Sequence, residues 1–419
     1  MKIIIMGAGL LGVTTAYFLG RQGHEVIVLE RQQGPALETS FANGGMITPS
    51  QAYPWNRPGI FRKLLAWMGD EDAPFLLRAN AVLPLLGWGI SFIRNSGMQR
   101  YLLNMQKNAK LAAYSLNILK QLRQQHDMHY DETDKGTLKI YKNDKSLQEG
   151  LQLSERFSDA GIQFKPLNGQ EVLTLEPALN DVSDDIMGGI YYPDDEAGDA
   201  HEFCRLLARQ AEINGVQFKY QIDVIGLECA AGGISGVEST AGRYVADAYV
   251  LAMGSYSALL AKQVNIYLPI QPVKGYSLTL ELNGWQTGPT IPVIDESMHA
   301  AVVPLGCRLR VAGMAEFSGY NTDISQSRID NMFRFVSTLY PEFAAFLDRS
   351  SALQWIGLRP YTCDGVPLLG RTPLNNLYLN TGHGHLGWTM ASGSGKLVAD
   401  LISQRETALD ISPYQLDRF

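Results

Sequence analysis

The sequence predicts an α/β fold made of two interleaved domains. A strand–helix–strand pattern fills the first thirty residues, and further glycine-rich strand ends follow late in the chain. The chain has 419 residues, whereas a single core usually stops growing at roughly 250–300 residues. No repeat, low-complexity tract or Pro/Ser-rich linker divides the sequence. We therefore expect two domains that alternate along the chain rather than follow one another.

The N-terminal segment has the pattern of a parallel βαβ unit. Residues 2–6 form an isoleucine-rich apolar run, residues 10–21 are compatible with a helix that Gly23 would end, and residues 25–29 form a second apolar run. Strands that are buried on both faces have nearly continuous apolar sequences. The segment therefore predicts a strand, a helix and a parallel strand in that order.

A glycine motif, Gly7-x-Gly9-x-x-Gly12, lies between the first strand and the helix. Its glycines allow a tight turn, the close approach of a pyrophosphate and close packing of helix on strand. The positive end of the helix attracts the phosphates. Glu30 follows the second strand, 18 residues after Gly12, where a carboxylate can accept hydrogen bonds from ribose hydroxyls. These features predict a dinucleotide site of the Rossmann type.

The rest of the chain alternates between helical and strand-rich blocks. Asp199 precedes Glu202 by three positions, which resembles a capping box at the start of a helix. The other expected elements are helical stretches within 61–127, a strand at 136–141, a strand at 216–220, short strands over 224–248, a buried strand at 249–253, a strand-rich block at 269–314, a strand at 377–380 and a helix over about 390–403.

The layout of the glycine-rich strand ends favours FAD over NAD. One of them ends at Gly254, after a predicted β-meander, and another includes residues 382–387. An extended FAD can contact such remote segments, whereas an NAD domain usually completes its sheet locally. An NAD-dependent dehydrogenase is the alternative at this point.

Composition and charge argue against several other classes of protein. The formal net charge is -7, and a nucleic-acid partner would need a basic face. The four cysteines form no Cys-x-x-Cys pair, so we expect no metal site and no disulfides, in keeping with a reducing cytoplasm. The apolar N-terminus contains the glycine motif instead of a signal-peptide cleavage site.

One apolar segment suggests contact with a membrane surface. Residues 81–93 are strongly apolar but contain Pro84 and are too few to span a bilayer. Arginines flank the segment on both sides. It can therefore dock at the cytoplasmic face of the inner membrane, and an ordinary helix of the second domain is the competing interpretation.

Further motifs extend over essentially the whole chain. Besides the glycine motif with Glu30, they are Glu38-Thr-Ser-Phe-Ala-Asn43-Gly-Gly, Ala73-Pro, Pro193-x-Asp195-Glu-x-Gly-Asp199, Lys274-Gly-Tyr276-Ser, Gly357-Leu-Arg359-Pro-x-x-x-Asp364-Gly and Leu379-Asn-Thr-Gly382-His383-Gly-x-Leu-Gly387-Trp388-Thr. Together they resemble the D-amino acid oxidase superfamily of FAD-dependent oxidoreductases, and within it the bacterial D-amino acid dehydrogenases.

The resemblance implies an FAD-binding Rossmann domain of the glutathione-reductase type at 1–56, 197–260 and 340–419. An α+β substrate-binding domain would occupy 57–196 and 261–339 and cover the flavin ring. The implied cofactor contacts are Gly7, Gly9, Leu10, Leu11, Gly12, Glu30, Arg31, Ser40, Asn43, Gly44, Gly45, Met46, Gly254, Gly384, His385, Leu386, Gly387, Trp388 and Thr389.

The implied reaction is the oxidative deamination of a D-amino acid to a 2-oxo acid and ammonia. A hydride would move from the substrate Cα to flavin N5, and the electrons would pass to a quinone or another membrane acceptor. Orientation of the substrate is then the main task of the protein. Related amine or imino-acid oxidases and dehydrogenases, acting on glycine, sarcosine or hydroxyproline, are the first alternative. A flavoprotein without catalysis is the second.

The resemblance implies that Arg359 is the ligand of the substrate carboxylate, and a guanidinium can bind both carboxylate oxygens. Three other arginines are alternatives for this role: Arg308, Arg310 and Arg371. Two histidines are candidates for polarising flavin or substrate, namely His383 and His385. The expected aromatic wall consists of Tyr53, Trp55 and Tyr276, and Lys274 with Gly275 is expected to reach the flavin through a water molecule.

Overall fold

The computed structural model describes residues 1–60, 62, 64, 67 and 69–419. The strands in this part of the chain are β1 Lys2–Met6, β2 Glu25–Leu29, β3 Met46–Ile47, β4 Phe75–Leu77, β5 Thr137–Tyr141, β6 Lys165–Asn168, β7 Gly188–Tyr192, β8 Glu196–Ala197, β9 Gln217–Lys219, β10 Val224–Ala230, β11 Gly233–Ser239, β12 Gly242–Tyr244, β13 Ala248–Leu251, β14 Ile270–Glu281, β15 Val293–Asp295, β16 Ala300–Leu305, β17 Arg308–Phe317, β18 Leu353–Thr362, β19 Leu368–Arg371 and β20 Leu377–Thr381. The α-helices described are α1 Leu10–Arg21, α2 Val82–Arg94, α3 Met98–His126, α4 Asp144–Ser158, α5 Gly169–Leu175, α6 Ala200–Ile213, α7 Ser257–Gln263, α8 Gln326–Leu339 and α9 Gly387–Ile402.

The N-terminal strand lies inside a six-stranded sheet with the order β19-β20-β13-β1-β2-β9. All neighbours pair in parallel except β19 and β20, which are antiparallel. The predicted βαβ unit is confirmed, and α1 has the predicted bounds. The strands from the end of the chain complete this sheet beside β13, as expected for a domain assembled from remote segments.

Both faces of the six-stranded sheet are covered. Ile3 and Ile5 pack with the core formed by α1, α3, α6 and α9. Ile4 and Met6 instead pack with residues of the β10–β12 meander and of α7. Successive side chains of a strand point to opposite faces, so a strand buried on both faces needs an unbroken apolar sequence. This explains the isoleucine run at the N-terminus.

A second, nine-stranded sheet has the order β18-β14-β17-β16-β15-β5-β7-β6, with β4 paired to β17. Helix α8 packs its apolar face on this sheet. Strand β18 lies within the 340–419 segment that was assigned to the FAD-binding domain, yet it pairs with β14 along its whole length. This strand therefore belongs to the second sheet, and the domain boundaries otherwise stay a prediction.

Several predicted elements are found with small differences. Asp199 caps α6, accepting hydrogen bonds from the amides of His201 at 3.0 Å and Glu202 at 3.2 Å. The Glu202 carboxylate binds Arg205 instead of returning to the cap, so the capping box is one-sided. Helix α9 begins at Gly387, three residues earlier than expected.

The apolar segment at 81–93 forms α2, and no helix in the described residues is long and apolar enough to cross a membrane.

The helical prediction for 61–127 includes positions 61, 63, 65, 66 and 68, which lie outside the described residues. From position 98 onward this prediction corresponds to α3, a helix of 29 residues.

Candidate active site

The first turn of the six-stranded sheet is so tight that two of its positions admit only glycine. Gly7 has a φ of +99°, and a Cβ there would lie 2.7 Å from the carbonyl oxygen of Ala252. A Cβ at Gly12 would lie 1.9 Å from the carbonyl oxygen of Gly7. The clash with backbone cannot be relieved by a side-chain movement. These glycines bring α1 directly against β1.

The N-terminus of α1 opens into a large cavity. Gly9 occupies the cap position without a side-chain cap, and the first turn carries no acidic residue. The Leu10 amide donates a hydrogen bond to the Ser40 hydroxyl at 3.2 Å. Gly9, Leu10, Leu11 and Ser40 all line the cavity. Small residues and a positive helix end suit a pyrophosphate.

Glu30 lies where β2 ends, at the same edge of the sheet. Its carboxylate accepts hydrogen bonds from the amides of Ala8 at 2.7 Å and Gln32 at 2.8 Å. Burial raises the pKa of Glu30, while the two amides act in the opposite direction. A carboxylate has about four lone-pair sites, so acceptor capacity for ribose hydroxyls remains. Arg31 pairs with Glu38 and lies 4.2 Å from the Tyr256 ring centroid.

The cavity has a volume of about 610 Å³, within the range of roughly 300–1,000 Å³ usual for ligand sites. The predicted cofactor contacts that line it are Gly7, Gly9, Leu10, Leu11, Glu30, Arg31, Ser40, Asn43, Gly44, Met46, Gly254, Gly384, His385, Gly387 and Trp388. The glycine turn, the open helix end and Glu30 fit an adenine dinucleotide, and the cavity continues between the two sheets beyond them.

Four predicted contacts lie behind the cavity wall instead of on it: Gly12, Gly45, Leu386 and Thr389. Gly12 packs against Gly7, and the Gly45 carbonyl accepts a hydrogen bond from Gly198 at 2.8 Å. Thr389 accepts a hydrogen bond from the Thr48 amide at 3.0 Å. These residues hold the wall in place, and their direct contact with a cofactor stays a prediction.

The loop at 40–48 is held in place by hydrogen bonds from two side chains, and these contacts were not predicted from the sequence. Ser277 donates a hydrogen bond to the Ala42 carbonyl at 2.5 Å. The buried Arg310 donates to the Asn43 carbonyl at 2.8 Å and to Thr279 at 2.8 Å. Burial lowers the pKa of Arg310 to about 10. Arg310 therefore holds the loop in place and does not itself line the cavity.

The other two alternative arginines also lie off the cavity wall. Arg308 pairs with Asp131 at 2.7 Å and with Asp199 at 3.2 Å. Arg371 is at the edge strand β19, with its guanidinium 5.4 Å from the Tyr378 ring centroid. Among the four arginines considered from the sequence, only Arg359 lines the cavity.

Arg359 extends from β18 across a glycine of the neighbouring strand. A Cβ at Gly275 would lie 2.2 Å from the Arg359 Cζ, so the absence of a side chain there makes room for the guanidinium. One nitrogen donates to the Met314 carbonyl at 2.9 Å, and no carboxylate within the described residues pairs with the group. Burial lowers its pKa to about 10, which leaves it charged at neutral pH. An unpaired, desolvated cation is a site for an anion.

The two predicted histidines are neutral. His383 bonds Ser394 at 2.8 Å, and His385 bonds the Gln51 carbonyl at 3.2 Å. Burial lowers the pKa of each to about 3. Neither can therefore act as a cation at neutral pH. Polarisation of flavin or substrate by these groups stays a prediction, restricted to the neutral imidazole.

The predicted aromatic wall is partly assembled. The Trp55 ring stacks on Tyr361 and on His385, each at 4.8 Å between centroids, and its own centroid is 5.7 Å from the Arg359 Cζ. Tyr53 lines the same cavity. Tyr276 is also among the lining residues, but its side chain shares the Glu316 side of β14 with Lys274, and its hydroxyl donates to Glu316 at 2.6 Å. That hydroxyl is therefore engaged with the protein.

Lys274 does not line the cavity in which the flavin is expected. Its amine donates to Asn321 at 2.6 Å and to the Asp323 carbonyl at 3.0 Å, and only its neighbour Gly275 lines the cavity. A strand presents successive side chains to opposite faces. Gly275 faces the cavity, so the adjacent lysine is directed to the other side of β14.

Three charged residues in the cavity were not predicted from the sequence: Arg57, Lys139 and Glu296. Lys139 Nζ forms an ion pair with Glu296 at 2.6 Å and donates to the Tyr53 hydroxyl at 3.2 Å. A lysine in the otherwise buried strand β5 is an unusual feature. It was the one signal in the sequence that could have pointed to this group.

Comparison with known proteins agrees with this geometry. Residues 2–401 match the family model for the FAD dependent oxidoreductase family DAO. The chain is 42% identical to a D-amino acid dehydrogenase of Allorhizobium ampelinum over 100% of this chain and 99% of the relative. It is 37% identical to a D-amino acid dehydrogenase of Vibrio atlanticus over the full length of both.

Solved structures show the same fold at lower identity. L-proline dehydrogenase from P. horikoshii matches with a TM-score of 0.78 at 19% identity, covering 99% of this chain and 96% of that one. Glycine oxidase from Geobacillus kaustophilus matches with a TM-score of 0.77 at 21% identity, covering 100% and 99%. With the dinucleotide cradle described above, these matches lead to one conclusion: the chain belongs to the DAO family of FAD-dependent oxidoreductases.

Proposed function

We propose that this enzyme oxidatively deaminates D-amino acids to 2-oxo acids and ammonia. The observation that carries the proposal is the Arg359 guanidinium, which is charged, unpaired by any described carboxylate and directed into the cavity beyond the dinucleotide cradle. An amino acid offers the carboxylate that such a group needs. The names of the full-length relatives support the choice of the D-amino acid class.

The protein's part in the reaction is to hold and orient the substrate. The guanidinium of Arg359 binds the substrate carboxylate through two parallel hydrogen bonds, while the Met314 carbonyl fixes its plane. Trp55 and Tyr53 enclose the substrate and exclude water. The surrounding neutral histidines add no cation that would compete for the carboxylate. The chemistry that FAD would supply when bound is the uptake of two electrons and the hydrogen from the substrate Cα.

The decisive test is anaerobic bleaching of the flavin by a panel of amino acids. The panel contains D- and L-alanine, sarcosine and hydroxyproline, which separate the proposed activity from related amine and imino-acid oxidations. We expect fast bleaching by D-alanine and slow or no bleaching by the others. Equal or faster bleaching by L-alanine, sarcosine or hydroxyproline would overturn the proposal.

Substitution of Arg359 checks the assigned role. Arg359→Ala should lower kcat/KM by at least roughly 100-fold, because a charge-assisted bidentate contact exceeds an ordinary charged hydrogen bond of about 1.5–3 kcal/mol. Arg359→Lys should recover part of the loss. Arg371→Ala is the matched control, since Arg371 lies outside the cavity. A wild-type kcat/KM in Arg359→Ala would contradict the assignment.

The proposal extends to a quinone or another membrane-bound electron acceptor. Helix α2 supports it, because its buried side chains, Leu85, Trp88 and Phe92, lie on one face and leave an apolar face exposed. The exposed residues, Leu83, Leu86, Ile90 and Ile93, have the spacing of one helix face, and Leu83 is 77% exposed. Such a face suits shallow insertion at the bilayer surface.

Co-sedimentation with phosphatidylethanolamine–phosphatidylglycerol vesicles tests this extension. The double variant Leu86→Glu, Ile90→Glu should lose vesicle binding and quinone reduction but retain reduction of a soluble dye. Ile213→Glu, at an equally apolar exposed position on α6, is the control and should bind like the wild type. Release of peroxide with oxygen as the preferred acceptor would contradict the dehydrogenase assignment.

A further inference from the structure

The cavity contains a chamber whose charged residues have no role in the proposed reaction. We define it by five lining residues: Tyr53, Arg57, Tyr101, Lys139 and Glu296. Tyr53 links it to the wall of the candidate active site, because the same segment carries Trp55, which neighbours Arg359. A substrate held at Arg359 therefore has its side chain available for contact with this chamber.

Lys139 and Glu296 neutralise each other within the chamber. Lys139 is only 4% exposed, and its amine lies 2.6 Å from the Glu296 carboxylate. The amine also donates to the Tyr53 hydroxyl at 3.2 Å. A buried ion pair with an additional hydrogen bond is satisfied, so these two residues contribute no net charge.

Arg57 is the excess cation. Within the described residues its guanidinium has no ion pair and no hydrogen bond, although it faces the cavity. Burial alone would raise the pKa of Glu296, yet Lys139, His299 and Arg57 together lower it. The half-buried Glu296 carboxylate therefore lies near two cationic side chains, Lys139 and Arg57. At the rim, Lys142 and Glu149 are exposed, opposite in sign and screened by solvent.

A neutral aliphatic side chain would place methyl groups against this guanidinium and remove water from it without compensation. A carboxylate would instead complete its hydrogen bonds. We propose that the preferred substrates are dicarboxylic D-amino acids, D-aspartate or D-glutamate, whose second carboxylate binds Arg57. This assignment rests on the proposed D-amino acid oxidation and specifies the substrate class of the same site.

Two isosteric pairs of substrates give the sharpest test. D-glutamate is compared with D-glutamine, and D-aspartate with D-asparagine, by kcat/KM with a dye as electron acceptor. We expect the acid of at least one pair to be preferred by roughly tenfold or more, as for a charged hydrogen bond in a partly desolvated site. The pair with the larger ratio reports the side-chain length that reaches Arg57.

Variants then assign the preference to Arg57. Arg57→Ala should bring the acid-to-amide ratio close to one, and Arg57→Lys should recover part of it. Arg209→Ala, at an exposed arginine of α6 outside the cavity, should leave the ratio as in the wild type. Because the readout is a ratio, a general loss of activity or stability in a variant does not imitate the expected result.

The outcomes separate this inference from the function on which it rests. If the wild-type enzyme oxidises D-alanine but shows no acid preference in either pair, the assignment of Arg57 is overturned and the proposed function stands. A preference that persists in Arg57→Ala also overturns it. If neither D-alanine nor any member of the pairs is oxidised, the proposed function itself fails.

Discussion

The two ends of the cavity are built in different ways. At the dinucleotide end, the contacts come from backbone and from absent side chains, with Gly7, Gly9 and Gly12 within one turn and Glu30 at the next strand. At the substrate end, the contacts come from long charged side chains that separate elements bring together. The first end therefore depends on local geometry, whereas the second depends on the packing of the nine-stranded sheet against the first.

This comparison predicts that substitutions will separate cofactor retention from substrate use. The largest effect is expected for Gly12→Ala, because its Cβ would lie 1.9 Å from the Gly7 carbonyl oxygen. The contact is with backbone, so the turn itself must deform, at a cost of at least about 1–3 kcal/mol. We expect purified protein without FAD and with a lowered thermal unfolding temperature.

The matched control is Gly89→Ala in α2, where a Cβ meets no atom within 4 Å. This helical position should gain stability by about 0.5–1 kcal/mol. The ratio of flavin to protein absorbance should equal that of the wild type. Normal FAD content in Gly12→Ala would contradict the view that this end depends on backbone packing.

The same contrast explains what the sequence could and could not predict. The βαβ unit, its glycine turn and Glu30 are consecutive, so their geometry follows from local rules of strand and helix. Arg359 was identified only through resemblance to a family. The role of Gly275 in accommodating its guanidinium became visible only when β14 and β18 were seen side by side.

The charged chamber lies at the limit of sequence analysis. Arg57, Lys139 and Glu296 are far apart in the chain, and Arg57 and Glu296 alone resemble solvated charges. The meeting of Lys139 and Glu296 requires the parallel pairing of β5 with β15, two strands that are far apart in the chain. No periodicity in the sequence predicts such a pairing.

Gly275→Ala should affect the substrate end alone. Its Cβ would meet the end of the Arg359 side chain at 2.2 Å, and a flexible side chain can move aside. We expect normal FAD content with kcat/KM for the amino acid lowered roughly 10- to 100-fold, as when a charged hydrogen bond is lost. An equal loss of FAD in this variant would remove the distinction between the two ends.

The smallest expected effect is on the pH dependence of stability and concerns Asp195. Its hydrogen bonds connect the dinucleotide end of the cavity with the substrate end. Its buried carboxylate accepts hydrogen bonds from Ser50, near the cofactor loop, at 2.5 Å and from Thr137, on the strand of Lys139, at 2.7 Å. Burial raises its pKa from 3.8 to about 7, despite these two hydroxyl donors. In the unfolded chain the group is ionised throughout the neutral range, whereas in the folded protein it still binds a proton at pH 6.

A folded-state pKa above the unfolded value means that stability is present at low pH and is lost as the pH rises through about 7. Asp195 should therefore make the wild-type enzyme about 1 kcal/mol less stable at pH 8 than at pH 6. Asp195→Asn keeps the shape of the group and cannot titrate, so denaturant unfolding of this variant should lack that part of the pH dependence. Identical pH profiles for the variant and the wild type would show that the carboxylate is already ionised in the folded protein, and that burial does not govern the contact between the two ends.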